Sequence, residues 1–421
     1  MYPEFQQNLA DYAQLTLEVG LNLQSDQHVV LGFDGDMAAP YLLEFMRLLT
    51  ELAYKKGARS VQIIWGDDKI ALSKWQNQSP EYLAEFWTSS AQPYLEAVEK
   101  EAAYLHVSGT DPQLFSGVDP LLMVTSRRAF RDAIRPFRDA QSEMRFPWCV
   151  IDFPTPTWAA RVFPDLAPDV ALEKLWKLIF QVVRVGGGDS IARWKEHNAQ
   201  LSARAELLTR EQFSAVHFLG FITDLTVGLV ENHVWLGGSA TSSAGVRFTP
   251  NLPTEEVFTA PHRERVNGTV LGTKAVSIFG TLVEDFVLEF ENGKVVNYSA
   301  LKGQDALRTL LEYDEGSSFL GEVALVPHSS PVSETGVVFQ SILLDENASC
   351  HIAVGSHYAD NLEGGVDLTE AQRAALGANV SKIHLDLMIG SSGVDVFGVR
   401  GDGSKVALLE GGDWVFKAGA E

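Results

Sequence analysis

The sequence predicts an α/β amino-terminal domain, with a mostly parallel sheet flanked by helices, followed by a strand-rich α+β carboxy-terminal domain. Three observations carry this. Strand-like and helical periodicities alternate through the first half. From about residue 213 short strand-like runs dominate. The length, 421 residues, exceeds that of one ordinary domain.

The elements of the first half follow in order. "LADYAQLTLEVGLNL" has apolar residues at helical spacing, and "HVVLGFD" is a short buried strand. "PYLLEFMRLLTELAYKKGA" is a helix, with Pro40 near its start and Gly57 just past its end. "SVQIIWGD", "AYLHVSG" and "WCVIDF" are further strands, with the helix "DPLLMVTSRRAFRDA" between the last two. Two more helices, "VALEKLWKLIFQVVRV" and "DSIARWKEHNAQLSARAELLTR", lead out of this domain. Between them "VGGGDS" lacks the lysine of a phosphate-binding loop and reads as a helix end plus the next N-cap.

The second half changes character. "AVHFLGFI", "DLTVGLV", "VRFTP", "TKAVSIFGTLV", "DFVLEF" and "VVNYSA" are short strands, interrupted by the helix "GQDALRTLLEYDE". Asn292-Gly293, between the last two strands, is a hairpin signal. The expected domains are residues 1–210 and 211–421.

Composition narrows the partners. The chain is 46% hydrophobic and 21% charged, enough apolar residue for a real core. A formal net charge of −22 repels nucleic acid and anionic membrane, so neither is an expected partner. No run of roughly 18 apolar residues spans a membrane. The amino terminus has no signal-peptide pattern, and the two cysteines, Cys149 and Cys350, form no disulfide or zinc-ribbon framework. The expected location is the cytoplasm.

The chemistry concentrates in the last third. "NLPTEEVFTAPH" places Glu255 and Glu256 side by side among apolar residues. "FLGEVALVP" puts Glu322 inside an apolar strand, where a free carboxylate is costly. "LLDENASCHIAVGSHY" gathers Asp345, Glu346, His351, His357 and Tyr358, and "HLDLM" sets His384 and Asp386 at i, i+2, on one side of a strand. Shared divalent cations would offset all of these violations, since carboxylates and neutral imidazoles bind such ions. Two metals need about five to seven ligands with at least one bridging carboxylate. Glu256, Glu322, Glu346, His351, His384 and Asp386 make six. Neighbours in extended chain diverge, so one glutamate of the pair can bind metal while the other acts as a base. Nothing resembles a Walker motif, a GxSxG elbow or a dinucleotide fingerprint.

These segments, "NLPTEEVFTAPHRERVNG", "GEVALVP", "LDENASCHIAVGSHY" and "HLDLMIGSSGVDVFGV", resemble the signatures of the aminopeptidase T, aminopeptidase S and PepS family of metalloaminopeptidases. "VIDFPTPTWAARVFPD", "WKEHNAQLSARAELL" and "GFITDLTVGLV" are also similar to family segments. The resemblance implies two domains, a homodimer with an enclosed active site, and hydrolytic release of the first residue from peptides with a free amino terminus. It implies metal ligands at Glu256, Glu322, Glu346, His351, His384 and Asp386 and a catalytic tyrosine at Tyr358. Family spacing favours Glu256 as the ligand, and analogy with other two-metal peptidases makes Glu255 the base. The expected cofactor is two divalent ions, zinc with cobalt or manganese as alternatives. Between His357 and His384 the chain departs from the family pattern, as a lid or an insertion would. Two rivals use the same residues: a metal-dependent amidase or esterase on small molecules, and a non-catalytic peptide-binding protein.

Overall fold

A computed structural model describes residues 1–83 and 85–417. The chain divides into two compact units, Met1–His197 with Ser239–Pro253, and Asn198–Gly238 with Thr254–Glu421. It passes between them at residues 197–198, 238–239 and 253–254, where the sequence suggests one boundary near residue 210. Residues 239–253 return to the first unit because Asn251 and Leu252 pair there with Val150 and Ile151.

The first unit holds a parallel sheet of β1 (His28–Gly35), β2 (Ser60–Asp67), β3 (Ala103–Gly109) and β4 (Trp148–Asp152) in the order β4-β3-β1-β2. Residues 251–252 add a short parallel edge beside β4. The strands are parallel because helical crossovers separate them, among them α2 (Leu42–Lys55) between β1 and β2, while α1 (Phe5–Leu15) precedes β1. Close approach fixes one glycine: a Cβ on Gly35, whose φ is +151°, would lie 2.4 Å from the backbone of Gly109 across the β1–β3 pair.

One helix behaves differently from the sequence reading. α3 (Pro168–Val182) does not lead out of the unit; it closes the unit's core. Leu175, Trp176, Ile179 and Phe180 are buried at helical spacing. The Trp176 ring meets Phe5 edge-on at 5.4 Å and Phe153 at 4.9 Å between centroids.

The second unit carries two large antiparallel sheets. The eight-stranded one runs 294–299, 287–291, 261–271, 224–229, 215–219, 395–399, 405–410, 413–414. Its first hairpin turns at Asn292 and Gly293, with φ of 49° and 86°. Both signs are positive, as a two-residue primed turn requires. The five-stranded sheet contains β5 (Leu236–Gly237), β6 (Val257–Thr259), β7 (Leu320–Leu325), β8 (His351–Gly355) and β9 (His384–Met388), ordered β9-β8-β7-β6-β5.

This smaller sheet has a divided character. Val257, Val323, Leu325, Ile352, Val354 and Leu387 join the unit's main apolar core. The alternate positions, Glu322, Ala324, His351, Ala353, His384 and Asp386, face the other way. The register lines them up: Glu322 pairs with Ala353, Ala353 with Asp386, and Ala324 with His351. β7 and β8 are buried along their whole length, so the polar face is desolvated as well.

Trp176 gives a test of the first unit's core. Trp176→Ala should destabilise the unit by about 3–5 kcal/mol, through lost apolar burial and the cavity left behind. Chemical denaturation followed by tryptophan fluorescence would read this as an earlier unfolding midpoint.

Candidate metal centre

The polar face of the five-stranded sheet brings five of the expected site residues together. Glu322 comes from β7, His351 from β8, and His384 and Asp386 from β9. Glu256 enters from the extended segment just before β6, two residues ahead of Phe258. Ala324 and Ala353 lie among them, and their small side chains leave the face open for the longer ones.

Two groups of three donors form, and Glu322 belongs to both. Glu256, Glu322 and His351 offer ligand atoms within 4.8 Å of one another, as do Glu322, His384 and Asp386. His351 Nε2 lies 3.1 Å from Glu256 Oε2 and 3.4 Å from Glu322 Oε1. His384 Nε2 lies 3.5 Å from Glu322 Oε2 and 3.3 Å from Asp386 Oδ1. The two oxygens of one carboxylate thus face different groups. Neither group includes Glu346 or Glu255.

Glu346 sits on the short turn Glu346–Ala348 that follows the helical turn Ile342–Asp345. Its carboxyl hydrogen-bonds Asp386, which brings it to the edge of the second group. Glu255 is buried, and its backbone N–H donates to Asn347 Oδ1 at 2.6 Å. Tyr358 leaves the end of β8 and sets its ring 5.0 Å from the His384 imidazole and 5.8 Å from Phe258. The His384 side chain retains 23% exposure, against 1% for His351 and 5% for Glu322. Solvent therefore reaches the cluster on the side of His384.

The donor set fits a divalent cation. Each imidazole turns Nδ1 to a backbone carbonyl, His351 to Ser349 O at 3.2 Å and His384 to Ser356 O at 2.7 Å. An Nδ1–H held in this way leaves the Nε2 lone pair directed at the carboxylates, as metal-binding histidines require. Glu256 Oε2 is buried without an aligned hydrogen bond, although His351 Nε2 is only 3.1 Å away. With His351 neutral and its proton on Nδ1, these are two acceptor atoms, and at that distance they call for a proton or a cation between or beside them.

Electrostatics without a cation show how much charge is confined here. Burial pushes the Glu322 carboxyl up to about 7, even though His351 and His384 favour its ionised form. Burial, with Asp386 and Glu256 adding to it, holds Glu346 well above the usual carboxylate range. For His351 burial opposes the charged form, yet Glu256 and Glu322 outweigh it and raise the imidazole well above its ordinary value. His384 follows the same logic and rises to about 9, with Asp386 the main opposing charge. Burial works against ionised Asp386 too, but His384 and His351 keep it below the ordinary aspartate value. Tyr358 is raised well above the usual phenol, first by burial and then by the surrounding carboxylates, so its hydroxyl stays a donor.

The sequence reading missed the residues that hold these groups in place. Asn347, fully buried, ties the Glu255 backbone to the turn bearing Glu346. Asn379, also fully buried, donates to Gly316 O at 2.8 Å and Gly355 O at 2.7 Å, and its own carbonyl accepts from His357 Nδ1 at 2.7 Å. Through these bonds the stretch after Tyr358 is fastened to the end of β8. A single polar residue beside a candidate ligand was the one sequence signal for Asn347; nothing local marked Asn379.

The sequence matches the family described as thermophilic metalloprotease (M29) over residues 5–414. Aminopeptidase T of Thermus aquaticus is 42% identical over 412 residues, 98% of this chain and 99% of that protein. Aminopeptidase 2 of Geobacillus stearothermophilus is 39% identical over 413 residues, with the same coverage. A solved structure, wild-type AmpT from Thermus thermophilus, aligns with a TM-score of 0.90 and 41% identity, covering 98% of this chain and all of that one. A fold shared at this level, a sequence match running almost end to end and a face of converging carboxylates and imidazoles agree, and the chain belongs to the thermophilic metalloprotease family M29.

Proposed function

We propose that this protein is a metal-dependent aminopeptidase whose chemistry is carried by the 211–421 half. Its reaction would centre on two divalent ions, zinc with cobalt or manganese as alternatives. The observation that carries the reading is the division of Glu322, with one oxygen facing Glu256 and His351 and the other facing His384 and Asp386. A carboxylate in that position suits a bridging ligand between two sites. Glu256 and His351 would complete one site, and His384 and Asp386 the other, with Glu346 closing the edge beside Asp386. When bound there, the ions supply a water of lowered pKa and polarise the scissile carbonyl.

The chain's own residues do the rest. Glu255 holds the proton taken from the attacking water and delivers it to the leaving amine. The Tyr358 hydroxyl, kept protonated by its surroundings, donates a hydrogen bond to the oxygen that gains charge in the transition state. The free α-ammonium of the substrate is met by a cluster carboxylate, which accounts for action at the first residue of a peptide. The net charge of −22 supports a cationic peptide end over an anionic ligand. The named relatives are aminopeptidases, which supports the same reaction over a small-molecule amidase or esterase and over a non-catalytic peptide binder. The reading extends to a homodimer acting on cytoplasmic peptides. Two buried free thiols suit a reducing compartment, and no helix among the described residues is long and apolar enough to cross a membrane.

The direct assay is release of p-nitroaniline from aminoacyl substrates by metal-stripped protein, with zinc, cobalt or manganese added back. Cleavage should depend on metal and on a free amine; equal turnover of N-blocked substrates would point to the amidase reading. Glu322→Ala should lose at least one ion per chain and roughly 100-fold or more in kcat. Full metal content with full turnover in that variant would remove the two-metal assignment.

A second prediction concerns pH. Glu322, Glu346, His351 and His384 all have folded-state pKa values above their ordinary ones, so at these groups the metal-free folded protein binds more protons than the unfolded chain, while His106, His233, His262 and His357, lowered by desolvation, bind fewer at about pH 6.5. Stability from groups raised in this way is present at low pH and is lost as pH climbs through the raised values. The melting temperature of metal-stripped protein should therefore fall as pH rises from about 7.5, above which the lowered histidines are neutral in both states, through the value of about 9 for His384. Saturating zinc should remove that decline, because metal binds the deprotonated ligands. A metal-free melting temperature that rises over this interval would contradict the electrostatic account.

A further inference from the structure

We infer that Asn347 is a positioning residue for this site: one buried amide sets the Glu255–Glu256 pair in register with Glu346. The inference rests on the reading above, and it concerns a residue outside the candidate ligands. The Asn347 side chain is fully buried. Its Oδ1 accepts the Glu255 N–H at 2.6 Å, across 92 residues of sequence. Its Nδ2 donates to Leu343 O at 2.8 Å and reaches Glu346 Oε1 at 3.4 Å.

The geometry matters because Glu255 and Glu256 precede β6 and lie outside its ladder. Neighbouring side chains in extended chain diverge, so the orientation of this one dipeptide decides where both carboxylates go. The hydrogen bond from Glu255 N–H ties that dipeptide's backbone to the residue next to Glu346. A shift of either segment would move Glu256 against His351 and Glu346 against Asp386 together.

The chemistry explains why an amide occupies the position. The two tasks need an acceptor for an N–H and donors for a carbonyl and a carboxylate, all on one short planar group. Aspartate offers the acceptor without the donor. An apolar residue offers neither and leaves the Glu255 amide buried without this partner. The turn is held by other groups besides this side chain. Ser330 Oγ donates to the Asn347 carbonyl at 2.9 Å, Asp345 Oδ1 accepts Phe339 N–H at 2.8 Å, and Ser349 Oγ accepts Gly390 N–H at 3.0 Å.

The test compares wild type, Asn347→Ala and Asn347→Asp. Zinc affinity is measured on metal-stripped protein by competition with a chromophoric chelator, beside the metal-free melting temperature and kcat and KM on leucine p-nitroanilide at saturating zinc. Asn347→Ala should weaken zinc binding by roughly 10–100-fold, the scale on which groups supporting metal ligands act. At saturating zinc its kcat should fall by a larger factor than KM rises, because the displaced groups act on the reacting atoms more than on substrate binding. Asn347→Asp retains the acceptor for Glu255, so it should recover much of kcat at saturating zinc while zinc affinity remains weakened. A folded Asn347→Ala with wild-type zinc affinity and wild-type kcat overturns the inference. So does one in which only the metal-free melting temperature changes. If Asn347→Ala does not fold, Asn347→Asp decides: weakened zinc affinity supports the inference and wild-type affinity overturns it. Wild-type protein that binds zinc and cleaves no aminoacyl substrate removes the aminopeptidase reading, while the zinc affinities still decide the role of Asn347. Wild-type protein that binds no divalent ion overturns both.

Discussion

Four carboxylates and two imidazoles, four of these groups on one face of a five-stranded sheet and Glu256 and Glu346 brought to it by adjoining segments, are the constraint around which the second unit is organised. Glu256, Glu322, Glu346 and Asp386 are each less than a tenth exposed, and His351 is almost wholly covered. Like charges at this spacing, in an apolar setting, cannot all stay ionised by themselves. Protons or cations must compensate, and in the metal-free protein the raised values of Glu322, Glu346, His351 and His384 record the protons. A divalent ion does the same work with the ligands deprotonated. Metal binding, proton release and stability of this unit are for that reason one linked equilibrium.

The sheet meets the constraint through simple periodicity. Strand alternation sends Val323, Leu325, Ile352, Val354 and Leu387 to the apolar core and sends Glu322, His351, His384 and Asp386 to the opposite face. Antiparallel register then aligns Glu322, Ala353 and Asp386 across three strands, with the alanine leaving room between the carboxylates. A slip of one residue in β8 would exchange Ala353 for Ile352 or Val354 and turn His351 into the core. The core thus fixes the site: the same packing that buries the aliphatic residues holds the donors in place. Backbone carbonyls at Ser349 and Ser356 complete the arrangement by choosing the tautomer of each imidazole.

Much of this was legible in the sequence, and the reasons are particular. Glu322 inside "GEVALVP" and the His384–Asp386 pair inside "HLDLM" break the apolar pattern of strands, and a broken pattern is visible without coordinates. The Asn292-Gly293 hairpin was legible because positive φ at two successive positions restricts the residue types. The role of α3 was not. Its apolar face shows that it packs against something, and periodicity does not say what; Phe5, Phe153 and Trp176 meet only in three dimensions. The return of residues 239–253 to the first unit was hidden for the same reason, since it depends on a two-residue pairing with β4.

The sequence by itself determined the residue types of the candidate centre, the strands that carry most of them, the mostly parallel, helix-flanked character of the first half and the strand-rich character of the second. These are properties of local periodicity and of the cost of burying charge, both written along the chain. Tertiary structure alone decided that Glu322 faces two groups with its two oxygens, that Glu346 reaches the cluster through Asp386, and that Asn347 joins Glu255 to the turn bearing Glu346. Those facts depend on register and on contacts across tens of residues. Sequence spacing cannot specify them, because differences of about a few tenths of an ångström in the distances between remote side chains are set by how the whole unit packs.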